Sequence, residues 1–144
     1  MRGAKNILIS LEPRYAESIL SGSKIYELRK RAVRACPGTA VWIYSKIPEG
    51  RVVGWANIVA LHSGSPAMLW RKCGSGAAVS REEYSLYFSH HKLAFALELD
   101  CASRLSRPIR LEELRSVDPA FQPPQFYKYL QDSDRVLKKI AARK

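Results

Sequence analysis

The stretch Ser21-Gly22-Ser23-Lys24-Ile25-Tyr26-Glu27-Leu28-Arg29-Lys30-Arg31 decides how this chain is read. One carboxylate stands among four cations, the first of them two residues after a glycine. In an extended segment successive side chains point to opposite faces. Ile25, Glu27, Arg29 and Arg31 then share one face, and Lys24, Tyr26, Leu28 and Lys30 the other. A turn at Gly22 brings Lys24 to the mouth of the strand. Two readings stay open on pattern alone. In one, the cations hold a phosphate while Glu27 accepts a hydrogen bond from a base amine or from water, with burial perturbing the proton affinities. In the other, the segment is a solvated edge strand whose lysines discourage pairing.

Upstream, Asn6 to Leu11 is a short β-branched and apolar run, the signature of a buried strand. Glu12-Pro13 opens a helix, since proline fits the first turn. Tyr15, Ala16, Ile19 and Leu20 fall on one helical face, and Gly22 stops the helix. Downstream, strands are expected over Thr39 to Ser45, Arg51 to Leu61 and His91 to Asp100, with turns at Pro37-Gly38 and Pro48-Glu49-Gly50. A short helix over Ala67 to Lys72 is followed by a loop from Cys73 to Val79. Ser80-Arg81-Glu82-Glu83 matches a capping box and predicts a helix to Phe88. A short helical turn near Glu112 to Arg115, an irregular Pro119 to Pro124 and a basic helix over Gln125 to Lys144 complete the chain. Five or six short strands interleaved with short helices predict an α+β fold: one domain over residues 1–144, a small and mostly antiparallel β-barrel flanked by short helices.

The chain has 144 residues, with Lys and Arg numbering 24 against 13 Asp and Glu, a net charge of +11. Such an excess gathers anions, nucleic acid first and an anionic membrane surface second. No run of about 18 apolar residues is present to span a bilayer. Met1 to Asn6 leads into an apolar run broken at Glu12-Pro13, without the longer apolar region and cleavage site of a signal peptide. Cys36, Cys73 and Cys101 are odd in number and widely spaced, which predicts reduced thiols, a reducing compartment and cytoplasmic localisation. His90-His91 would point opposite ways in a strand and His62 is distant, so neither a metal nor another cofactor is expected. Trp42, Trp55, Trp70, Tyr44, Tyr84, Tyr87 and Phe88 are candidates to stack on bases, although aromatics on strands commonly build the core. Tyr44 and Ser45, at a strand end, are the candidates expected to be exposed.

These residues carry a family resemblance. Ile9-Ser10-Leu11-Glu12-Pro13-Arg14-Tyr15-Ala16, Ile19-Leu20-Ser21-Gly22-Ser23-Lys24 and Glu27-Leu28-Arg29-Lys30-Arg31 resemble the opening signature of ASCH domains, relatives of the PUA fold. Trp42 to Ser45, Val53-Gly54 and Pro123-Pro124-Gln125-Phe126 extend it over most of the chain. The resemblance implies a PUA-like barrel with a helix-walled cleft that receives Lys24, Glu27 and Arg29, and RNA or nucleoside ligands. One branch of the family deacylates N-acetylated cytidine through a Lys–Thr pair, with a separate Glu assisting. Glu27 occupies that Thr position here, which counts against an amidohydrolase. Glu82, Glu83 and Glu98 are the candidates for the assisting carboxylate. Another branch resembles ribonucleases.

The expected function is therefore an RNA- or nucleotide-binding module. Lys24, Glu27, Arg29, Lys30, Arg31, Tyr44 and Ser45 are its candidate ligand contacts, and single-stranded RNA or a nucleotide is its partner. The alternatives are a hydrolase of RNA phosphodiesters or of a modified nucleoside, with Lys24 and Glu27 catalytic, and a transcriptional regulator contacting DNA. No helix-turn-helix pair with a basic recognition helix supports the last.

Overall fold

A computed structural model of the chain describes residues 5–144, so the reading of Met1 to Ala4 as lacking a leader falls outside the described residues. The elements are β1 (Asn6–Leu11), α1 (Pro13–Leu20), β2 (Tyr26–Arg29), β3 (Ala40–Ser45), β4 (Arg51–Gly64), α2 (Pro66–Cys73), α3 (Arg81–Tyr87), β5 (Ala94–Arg110), α4 (Leu111–Val117), β6 (Tyr127–Tyr129) and α5 (Arg135–Ala141). Among the described residues the strands form one curled six-stranded sheet in the order β2-β5-β4-β3-β1-β6. Only β1 and β3 pair in parallel, from Asn6↔Ala40 to Leu11↔Ser45; the other pairings are antiparallel.

The run of β1, apolar on both faces apart from Asn6 and Ser10, follows from that pairing. Ile7, Ile9 and Leu11 join Val41, Ile43, Ala16 and Ile19 in one core on the α1 side. Leu8, Trp42 and Tyr44 join Leu114, Val136 and Ile140 in a second core beneath α4 and α5. With both faces covered, the strand has no reason to alternate polar and apolar residues. A third cluster, including Leu28, Leu69, Tyr84, Phe88 and Ala96, seats α2 and α3 on the β2 end of the sheet.

Two expectations need correction. The strand expected to end at Asp100 continues to Arg110. The polar Asp100-Cys101-Ala102-Ser103 run and the positive φ of Cys101 interrupt its regularity, yet pairing with β4 resumes through Trp55↔Ser103 and Val52↔Ile109. Tertiary pairing overrides the local turn signals there. The basic helix expected over 125–144 is instead a short strand and a short helix. Tyr127–Tyr129 lies antiparallel on β1, and the helix begins only after Asp134, whose side chain accepts from the Val136 N–H at 2.8 Å. Alternate aromatic residues at Tyr127 and Tyr129 suit a strand edge better than a helix face.

Candidate functional site

Lys24 owes its position to the end of α1. Gly22 takes φ +89°, which glycine adopts without a Cβ penalty, and the returning chain lets the Lys24 N–H donate to Ser18 O at 3.0 Å. The Ile25 N–H then donates to Gly76 O at 2.8 Å, and the Leu99 N–H donates to Ile25 O at 2.8 Å. These bonds bring β2 between the 74–79 loop and β5. A Cβ on Gly76 would stand 2.7 Å from Ile25 and 2.8 Å from the Tyr26 ring, so the loop lies this close only with glycine there. The Lys24 ammonium, itself inside the fold, donates to the neighbouring Ala77 carbonyl.

Glu27 pairs with Leu97 and Arg29 with Phe95 across the β2–β5 ladder, so both side chains leave the same face of the sheet. They enter a cleft of about 310 Å³ between α1, α3, the end of β1 and the segment around Phe126. Lys24 and Glu27 are buried at its floor, 3% and 5% exposed. Glu27 Oε2 is 3.6 Å from Arg29 Nη1, and Arg29 Nη2 donates to Phe126 O at 3.1 Å. Tyr15 and Tyr87 contribute aromatic lining to the cleft. The Lys24 ammonium lies 5.0 Å from the Tyr15 ring centre, and Lys30 lies 4.7 Å from that of Tyr87. At the mouth Arg14 donates to Glu83, tying α1 to α3, and to the Tyr15 hydroxyl at 2.6 Å. Glu83 is held from behind by its capping box, accepting from the Ser80 N–H at 3.2 Å.

Burial pushes the Glu27 carboxyl above its usual range, opposed by Arg29 and then Lys24. Burial pushes Lys24 below the usual lysine range; Glu27 pulls it back, Arg14 lowers it further and Glu83 raises it. Burial thus disfavours the charged form of both groups at the floor. Tyr87 is pushed up by burial and next by the Glu27 charge, and Glu83 is held low, chiefly by its hydrogen bond from Arg14.

Of the seven candidate ligand contacts the cleft gathers Lys24, Glu27, Arg29 and Lys30. Arg31 is exposed and outside its lining. The expectation that Tyr44 and Ser45 are exposed is wrong: they are 4% and 2% exposed, because β3 is an inner strand between β1 and β4. Tyr44 packs with Val52, Ile109 and Leu114 in the second core. Trp42, Tyr84 and Phe88 are likewise buried, and Trp55 and Trp70 are half-buried outside the cleft lining, so of these aromatic candidates Tyr87, 37% exposed, is the one with an exposed face at the cleft. Among the three candidate glutamates Glu83 lines the cleft, whereas Glu98 bonds His62 at 2.8 Å on the sheet. Sequence reading missed Tyr15, Lys46 and Phe126 as lining residues. Tyr15 and Phe126 both lie in segments that carry the family resemblance, and Tyr15 reads there only as an apolar position of the helix.

Cys36, Cys73 and Cys101 are free thiols. No helix among the described residues is long and apolar enough to cross a membrane.

No family model matches the chain. A curated protein of Zymomonas mobilis, named as an ASCH domain-containing ribonuclease, is 34% identical over 130 residues, which span 90% of this chain and 87% of that one. The crystal structure of ASCH from Zymomonas mobilis superposes with a TM-score of 0.89 at 33% identity, covering 96% of this chain and 94% of that one. Human THYN1, solved in complex with DNA containing 5-methylcytosine, has the same fold at a TM-score of 0.57 and 14% identity, covering 96% of this chain and 97% of that one. The α+β half-barrel built around Lys24, Glu27 and Arg29 is accordingly a PUA-like fold, and the chain belongs to the ASCH domain family.

Proposed function

We propose that this protein binds single-stranded RNA, taking an unpaired nucleotide into the cleft over Lys24, Glu27 and Arg29. One observation carries the reading. Lys24 and Glu27 are both withdrawn from water at the floor of an open cleft, with a cation and aromatic walls beside them. Removing a charge from water costs several kcal/mol even after relaxation, about the scale on which a fold without a ligand to bind would favour apolar residues. The aromatic walls suit a base, the cations a phosphate, and Glu27 a base N–H, whether an exocyclic amine or a ring imide. The net charge of +11 extends the attraction along a strand. Fluorescence anisotropy with a labelled single-stranded RNA tests this. Log affinity should fall linearly with log salt, with a slope of about −0.7 for each phosphate neutralised. Absent binding at low salt, or a flat salt dependence, refutes the reading.

A second reading is favoured by the relative that spans most of this chain and is named as a ribonuclease. Lys24 and Glu27 are then the proton-transfer pair acting on a phosphodiester held by Arg29. Incubation of end-labelled RNA with the protein, resolved on a denaturing gel, separates binding from cleavage.

A further inference from the structure

The Arg29 side chain borders a second cavity besides the cleft. This cavity, of about 180 Å³, is lined by Arg29, Val33, Leu61, Ser63, Phe95 and Leu97 among others. It opens on the same face of the sheet as Glu27. Arg29 pairs with Phe95 and Phe95 with Ser63, while Glu27 pairs with Leu97 and Leu97 with Leu61. Residues directly opposite in a ladder project to one side, so these two rows run side by side across the sheet. Arg29 therefore stands as a partition: cleft on one side, smaller and largely apolar cavity on the other.

Resting on the reading that the cleft takes RNA, we infer that the smaller cavity receives the base of the adjoining nucleotide, and that Arg29 holds the phosphodiester joining the two. The smaller volume suits a base without its phosphate, and Phe95 and Leu97 supply an apolar floor for it. Arg29 is fixed for the task. Its Nη2 donates to Phe126 O and its Nη1 faces Glu27 at 3.6 Å, so the guanidinium is oriented before any ligand arrives. A guanidinium has further N–H donors beyond these, in the fork that matches phosphate oxygens. The smallest complete ligand is then a dinucleotide rather than a nucleoside.

Isothermal titration with uridine 3′-monophosphate and with the dinucleotide UpU tests this, the integrity of UpU being checked by chromatography. The monophosphate carries the larger negative charge, so electrostatics alone would favour it. The second site predicts the reverse order, with UpU binding roughly tenfold tighter. Ser63→Trp, at an exposed strand position, fills the cavity and should bring UpU down to the level of the monophosphate while leaving the monophosphate within about twofold of wild type. Leu61→Ala, which only strips the wall, should produce the same selective loss in smaller measure. Longer RNA that binds while UpU is no tighter than the monophosphate overturns the second site alone. Equal weakening of both ligands by Ser63→Trp and Leu61→Ala also overturns it. No binding of any RNA at low salt overturns the parent reading, and this one with it.

Discussion

Replacing Lys24 with methionine separates the contribution of this residue to binding from its contribution to folding. The side chain is 3% exposed, and its ammonium donates to Ala77 O. Methionine keeps nearly the same length without the charge. Two opposing effects then act on stability. Burying the ammonium costs several kcal/mol, a penalty the substitution removes. Against that, the Ala77 carbonyl loses its donor, at about 1–3 kcal/mol, and Glu27 keeps Arg29 as a counter-charge but loses Lys24. The effects are of similar size and opposite sign. The melting temperature of Lys24→Met should therefore stay within about 4 °C of wild type, roughly the shift that 1 kcal/mol produces in a domain of this size. Binding has no such compensation. A hydrogen bond to a charged group in a water-poor site is worth about 1.5–3 kcal/mol, so affinity for single-stranded RNA should fall roughly ten- to a hundredfold. Anisotropy and differential scanning calorimetry on the same preparation read the two effects. Lys138→Met, on the exposed face of α5, is the control and should change only the salt slope. Equal small losses from both variants would mean that the charges act as a diffuse field, and the cleft argument would fail. A melting temperature that collapses together with affinity would show Lys24 to be structural.

Glu27→Gln should bind RNA within about tenfold of wild type, since the amide oxygen still accepts a hydrogen bond, but should lose any cleavage that depends on a proton acceptor; binding assays and gels on the same variant distinguish the two. The same variant has a pH signature. Burial raises the Glu27 carboxyl, so the folded state holds its proton more tightly than the unfolded chain. The stability this gives is present below the ordinary carboxylate value of 4.5 and is lost as pH rises through the folded value. Glu27→Gln should remove that loss, and urea titrations from pH 4 upward should show the wild type falling relative to the variant; parallel curves would refute the assignment. Gly54→Ala should destabilise the fold by about 1–3 kcal/mol without a specific effect on RNA affinity, because a Cβ there would stand 2.5 Å from both Leu20 and the Ser103 carbonyl, and a backbone atom cannot yield as a side-chain tip can. A melting temperature equal to wild type would show that β4 and β5 separate more easily than their pairing indicates.

The parts of this fold that were legible in the sequence are those whose local and tertiary preferences agree. Ser80 and Glu83 form a capping box because both bonds close within four residues, whatever α3 packs against. The run from Asn6 to Leu11 reads as a strand because it is apolar on both faces, and the structure supplies a core for each. The C-terminal region departs from its local pattern where these preferences part. Tyr127 to Tyr129 has too short a pattern to declare itself, and only pairing with Ile7 to Ile9 makes it a strand. Tyr44 is buried against its local pattern for a related reason. Position near a strand end suggests an open edge, but strand order decides it, and no local pattern carries strand order.

The same distinction explains which parts of the cleft could be read. Alternation along β2 places Glu27 and Arg29 on one face, a purely local deduction that the ladder with Leu97 and Phe95 obeys. Lys24 belongs by alternation to the opposite face, yet it lies in the same cleft. It precedes the strand, and the Gly22 turn and the Gly76 contact set its direction instead of the pleat. The walls lie further still from local reach. Tyr15 on α1, Tyr87 on α3 and Phe126 before β6 are separated by long stretches of sequence, and they converge only because α3 docks on the third core cluster and β6 on β1. A cluster of charges on one short strand is thus readable as a candidate, but whether it is a solvated edge or a ligand floor depends on distant segments that cover it. Here Phe126 accepts from Arg29 on one flank and Ala77 accepts from Lys24 on the other. Those two carbonyl contacts hold both cations in a set direction, a geometry that a freely solvated edge strand would not require and on which the proposed binding role rests.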